Sequence, residues 1–136
     1  MRRFASKDSK RDFYILYTLV FGVIAGFIYY QFAGNGKSLV WSHDGIPQHL
    51  NSLAYYGRYL REVLHTVFVE HKLELPMWDM NIGYGSDILT TLHYYVIGDP
   101  LTLFSVFVPR KNTEILYEIL IFVRIYLAGI TFSFYC

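Results

Sequence analysis

The sequence predicts an all-α membrane protein: two transmembrane helices joined by a large loop that carries helices of its own. Three observations predict it. Residues 13–33 form an uncharged apolar run, residues 114–136 form a second apolar run, and between them residues 47–75 carry a helical hydrophobic period. Strand-type alternation is nowhere sustained. The composition agrees, because 54% hydrophobic residues, 19% aromatics and a mean hydropathy of +0.28 exceed what the core of a soluble domain needs. The single cysteine, Cys136, excludes an intrachain disulfide.

The first twelve residues are a basic tail, with Arg2, Arg3, Lys7, Lys10 and Arg11 set against Asp8 and Asp12. A net charge of +1 for the whole chain argues against nucleic-acid affinity, so this local excess speaks to orientation. Under the positive-inside rule the 1–12 tail is cytoplasmic, and the 34–113 loop is extracytoplasmic. The localisation expected is the cell membrane, multi-pass, with a cytoplasmic N-terminus.

The 13–33 run reaches roughly 30 Å as a helix, the hydrocarbon thickness of a bilayer. Aromatic residues gather near its two ends, Tyr14 and Tyr17 at one, Tyr29, Tyr30, Phe32 and Trp41 at the other, as interfacial belts do. A secretory signal peptide has the same basic flank, but its apolar core is shorter, about 7–15 residues, and ends at a small-residue cleavage site that is not evident here.

Within the loop, Leu50, Leu53, Ala54, Gly57, Leu60, Leu64, Val67 and Phe68 recur at three- and four-residue steps. Asn51, Ser52, Arg58, Glu62 and Glu70 lie largely off that stripe. This predicts an amphipathic helix, ended by Pro76, that either lies in the membrane interface or packs on the rest of a domain. Arg61 falls inside the apolar stripe and therefore needs a partner or a route to the interface. Residues 81–86, Asn-Ile-Gly-Tyr-Gly-Ser, form a turn-rich loop, after which Ser86 or Asp87 caps a short apolar helix through Val96. Asp99 and Pro100 restart another helix, as N-cap and first helical residue, which stops at Pro109.

The second span, 114–136, contains Arg124, whose charge costs at least ~2.5 kcal/mol at membrane depth. Three readings stay open for it: an ion pair within the helix bundle, snorkelling to the interface, or contact with an anionic substrate headgroup. The chain stops inside this apolar stretch, and is expected to be the N-terminal piece of a longer multi-span protein.

Chemistry is expected first at Asp44, in Trp41-Ser42-His43-Asp44-Gly45-Ile46-Pro47-Gln48-His49, just beyond the first apolar run. A carboxylate held at the bilayer surface can act as a general base on a lipid-linked substrate, or it can simply cap the helix that begins near Pro47. Gln48, one helical turn on, can orient that carboxylate or meet a sugar hydroxyl, and is equally an ordinary first-turn residue. His43 and His49 flank the same place. Two histidines without a defined ligand set are weak evidence for a metal, so a divalent cation stays open and no metal-ligand set is assigned. Asp79 and Asp87 are acidic candidates farther along, alternatively solvated or capping. Arg58, Arg61, Arg110, Lys111 and Arg124 are the cations able to meet a phosphate, and headgroup contact is the plainer reading for each. There is no glycine-rich nucleotide loop, nucleophile elbow or zinc signature.

Taken in order, the basic tail, the span, the 41–49 segment, a helix, Pro76-Met77-Trp78-Asp79-Met80-Asn81-Ile82-Gly83-Tyr84-Gly85 and Tyr94-Tyr95-Val96-Ile97-Gly98-Asp99-Pro100-Leu101 resemble a known family. The chain resembles the N-terminal part of the bacterial YfhO membrane-protein family, which belongs with the GT-C superfamily of multi-span glycosyltransferases. The resemblance covers nearly the whole chain. It implies a fragment of a GT-C type fold and an enzyme that moves a sugar from a polyprenyl-phosphate carrier to a cell-surface polymer such as lipoteichoic acid. It also implies an acidic residue at the active centre in the first external loop, where Asp44 is the match. Gln48, His49, Asp79, Arg58, Arg61 and Arg124 are the substrate-binding candidates. A transporter or flippase for lipid-linked material, and a non-catalytic assembly subunit for cell-envelope polymers, are the alternative classes.

Overall fold

A computed structural model describes residues 7–136, with side chains from Ser9 onward. Arg2, Arg3 and the side chains of Lys7 and Asp8, on which the expected basic tail largely rests, lie outside the described residues. The described chain is mostly helical. Its α-helices are α1 (Lys7–Ala33), α2 (Asn51–Phe68), α3 (Ile88–Leu92) and α4 (Thr113–Tyr135). π-helical turns, Gly45–Leu50 and His93–Ile97, lead into α2 and out of α3, and 3-10 helices, Pro100–Phe107 and Arg110–Asn112, lead into α4. A two-residue antiparallel ribbon pairs β1 (Trp78–Asp79) with β2 (Ser86–Asp87), Trp78 opposite Asp87.

The chain divides into two compact units. One contains α1 and the end of α4, Ile125–Cys136; the other is Val40–Arg124. In the first, Leu16, Leu19, Val20, Val23, Ile24 and Phe27 of α1 are all exposed. A long helix that is apolar on every side suits hydrocarbon as its solvent. The segments Ser9–Ala33 and Arg110–Tyr135 are both long and apolar enough to cross a membrane. Several polar side chains along the apolar helices of the first unit are hydrogen-bonded, an arrangement that suits hydrocarbon. The Tyr17 hydroxyl donates to the Tyr126 carbonyl at 3.1 Å, the Thr18 and Tyr126 hydroxyls lie 2.9 Å apart, and Tyr14 stacks on Phe134 at 5.5 Å.

The second unit has a conventional core. Leu53, Tyr56 and Tyr59 of α2 pack with Ile88 and Leu92 of α3, Val96, and Leu116 and Leu120 of α4. Gly57 allows α2 to approach the Pro100–Phe107 helix closely: a Cβ there would stand 2.5 Å from the Ser105 carbonyl oxygen.

Two sequence expectations for the loop helix are corrected. Its regular part ends at Phe68, well before Pro76. The backbone leaves the helix through His71, in the left-handed region at φ 54°, and the Lys72 N–H closes onto the Thr66 carbonyl at 3.2 Å. The buried face is also rotated, since Tyr56 and Tyr59 are buried while Leu64 and Phe68 of the expected stripe are exposed. Arg61 meets the end of the Pro100–Phe107 helix, and beyond it Val63 still packs against the core while Leu64 and Phe68 face outward.

Candidate functional site

The turn that carries Asp44 is built by its backbone and by Pro47. The Asp44 carbonyl accepts from the Gln48 and His49 N–H groups, each at 3.2 Å, and the Ile46 N–H donates to the Trp41 carbonyl at 3.0 Å. Asp44 occupies the N-cap position, yet its carboxylate makes no capping hydrogen bond. The reason is local: a capping side chain needs the N–H of the second or third helical residue, and here the second is occupied by Trp41 and the third is Pro47, which has none.

The carboxylate takes a side-chain donor instead. Gln48 Nε2 donates to Asp44 Oδ1 at 3.0 Å, and the Tyr95 hydroxyl donates to Gln48 Oε1 at 3.0 Å. The ionised Asp44 carboxylate can only accept, so it draws the amide nitrogen, and the Tyr95 hydroxyl donates to the oxygen left at the other end. His49 stands edge-on to the Tyr95 ring, with centroids 5.2 Å apart, and Trp41 stacks on His43 at 5.4 Å. Asp44 itself is exposed, so this constellation offers a carboxylate with one oxygen held and the group open to an incoming hydroxyl.

Asp79 belongs to a second cluster. Its Oδ2 accepts the Tyr55 hydroxyl at 2.6 Å and lies 3.6 Å from Arg58 Nη2, while its Oδ1 accepts from the Asn81 backbone and side-chain amides, both at 2.8 Å. Tyr55 above all, then the Asn81 backbone N–H, hold the Asp79 carboxyl below the usual carboxylate range. Burial, followed by the bond to Asp79, pushes the Tyr55 phenol above its ordinary value. Arg58 also pairs with Glu62 at 3.6 Å and covers the Tyr55 ring at 5.0 Å. A carboxylate so fully engaged is a structural hub of the hairpin.

The remaining candidates are placed as follows. Asp87 caps α3, accepting from the Thr90 N–H at 2.7 Å, which lowers its pKa. Arg61 directs Nη1 to the carbonyls of Ser105, Val106 and Val108, at 3.0, 3.1 and 3.0 Å. Arg124 Nε lies 2.6 Å from Asp99 Oδ2, while Asp99 Oδ1 caps its own helix by accepting from the Leu101 N–H at 2.8 Å. Of the alternatives open for Arg124, the geometry shows the ion pair. No group of three or more His, Cys, Asp or Glu side chains converges as a metal site among the described residues. A cleft of about 540 Å³ opens beside α2, lined among others by Pro47, Asn51, Tyr55, Arg58, Arg61 and Arg110.

Residues 16–136 match the family described as Bacterial membrane protein YfhO. The chain belongs to the YfhO family. No curated protein and no solved structure matches it. The matched region of this YfhO chain runs from within α1 through α4 and contains every candidate residue above. With its two apolar helices, the chain is that of a YfhO membrane protein. Tyr55 and Tyr95, which sequence reasoning passed over, complete the two carboxylate clusters. Their partners lie 24 and 47 residues away, beyond any local pattern.

Proposed function

We propose that this chain is the N-terminal part of a GT-C type glycosyltransferase that transfers a sugar from a polyprenyl-phosphate carrier to a cell-surface polymer such as lipoteichoic acid. In this reading residues 1–12 are cytoplasmic, 13–33 and 114–136 span the membrane, and 34–113 lie outside the cytoplasm. The observation that carries it is the Asp44 carboxylate: it follows the first apolar helix, is exposed, caps nothing, and has one oxygen held by Gln48. Membership of the YfhO family and the two apolar helices support the membrane setting.

Asp44 then acts as general base. The acceptor hydroxyl oxygen attacks the anomeric carbon as its proton passes to the Asp44 carboxylate, and the bond from that carbon to the phosphate oxygen breaks. The electron pair leaves with the polyprenyl phosphate. Gln48 keeps the carboxylate directed at the acceptor, and His49 and Asp79 border the sugar or acceptor. Arg58 and Arg61 meet negative charge on the carrier, while Arg124 stays paired with Asp99.

Asp44→Asn in the full-length protein tests the reading. The expected result is loss of sugar transfer from a polyprenyl-phosphate donor, by about 10²-fold or more, with normal membrane expression. Transfer at the wild-type rate would remove Asp44 from the reaction.

A further inference from the structure

The cleft beside α2 combines three guanidinium groups, Arg58, Arg61 and Arg110, with no acidic side chain in its lining. The acids that pair with Arg58, Glu62 and Asp79, line a neighbouring hollow instead. Arg61 is held in place because Nη1 is tied to three backbone carbonyls, and among the described residues its hydrogen bonds run through that nitrogen alone. Arg110 is exposed and forms no ion pair among the described residues. Arg61 and Arg110 form no ion pair among the described residues, so their like charges repel, and an anion in the cleft would relieve that repulsion. The rest of the lining is mixed, with amides and hydroxyls such as Asn51 and Thr91 beside apolar Ile82 and Leu92.

We infer that this cleft binds the phosphate of an amphipathic phosphate ester, with Arg110 and Arg61 on the phosphate oxygens and the apolar and hydroxyl-bearing lining against the group esterified to it. Guanidinium forks suit phosphate oxygens, and a pre-positioned Arg61 loses little freedom on binding. The inference deepens the transferase reading and rests on it for the source of the ester, a lipid-linked sugar phosphate. Pro47 and Asn51 connect the two, since they line the cleft and flank Gln48, the partner of Asp44.

The test is calorimetric titration of the full-length protein in a phosphate-free maltoside detergent, with farnesyl phosphate in one arm and inorganic pyrophosphate in the other. Saturable binding of farnesyl phosphate, weakened about tenfold by Arg110→Gln and by rising salt, is the expected result. Pyrophosphate binding with the same Arg110 dependence supports phosphate recognition with a free phosphate as ligand, whereas its absence beside farnesyl phosphate binding assigns the site to a lipid-type ester. No saturable binding in either arm, or binding indifferent to Arg110→Gln, overturns the inference. Among the described residues the Arg110 side chain has no ion-pair partner to lose, and an unchanged unfolding temperature verifies that the variant folds. No turnover is involved, so the outcome separates from that of Asp44→Asn. If binding depends on Arg110 while Asp44→Asn retains transfer, the cleft stands and the general base falls; the opposite pattern removes the cleft and keeps the base.

Discussion

Tyr55 and Asp79 join α2 to the β1 hairpin through a single hydrogen bond of 2.6 Å, phenol to carboxylate. Each partner's titration is moved away from neutrality. The Asp79 carboxyl titrates below its ordinary value near 3.8 when folded, so its contribution is complete above that value and is lost as pH falls below it. The Tyr55 phenol is raised above 10.0, so its contribution is complete below pH 10.0 and is lost as pH rises beyond it. Tyr55→Phe removes the largest influence on Asp79, and the Asp79 carboxyl should then titrate closer to its ordinary value. Carboxyl carbon NMR of wild type and variant measures the shift; coincident curves would refute the assignment.

Arg61 gives a stability prediction. Replacement by Met keeps much of the stem packing but leaves the carbonyls of Ser105, Val106 and Val108 without their shared cation. The half-exposed setting tempers the loss, and about 2 kcal/mol is expected. Thermal unfolding of the detergent-solubilised protein reads it, with Arg61→Lys recovering part of the deficit.

At the close approach of α2 to the Pro100–Phe107 helix, two substitutions should act in opposite directions. Gly57→Ala sets a methyl against the Ser105 backbone, which cannot swing aside, and should destabilise by about 2 kcal/mol. Ser105→Ala removes a buried hydroxyl that has no partner among the described residues, and should be neutral or stabilising. Paired unfolding curves decide the matter. A large loss from Ser105→Ala would mean that the hydroxyl is engaged.

The Asp99 and Arg124 pair predicts non-additivity. Asp99→Asn retains an oxygen for the Leu101 N–H but removes the charge opposite Arg124, and Arg124→Gln leaves the carboxylate without its cation. The double substitution should be less damaging than the sum of the singles, by about 1 kcal/mol or more in a double-mutant cycle. Asp99→Ala, which also loses the cap, should be worse than Asp99→Asn.

What the sequence determined by itself is what local chemistry decides. The two long apolar runs become the long apolar helices, because helix formation satisfies every backbone group within the segment. Asp87 and Asp99 cap the helices that follow them, since cap, donor and helix start lie within a few residues. The freedom of the Asp44 carboxylate was legible too, from the proline standing where the capping N–H should be, although a reading of Asp as a general capping residue overlooks it. Tertiary structure alone decided the rest. That Arg124 meets Asp99, that Arg61 closes the end of a helix 44 residues away, and that Tyr95 donates to the Gln48 amide all depend on which distant segments pack together. The exposure of Leu64 and Phe68 follows from the same cause, as a hydrophobic period marks which residues can be buried, whereas burial itself requires a neighbour to cover them.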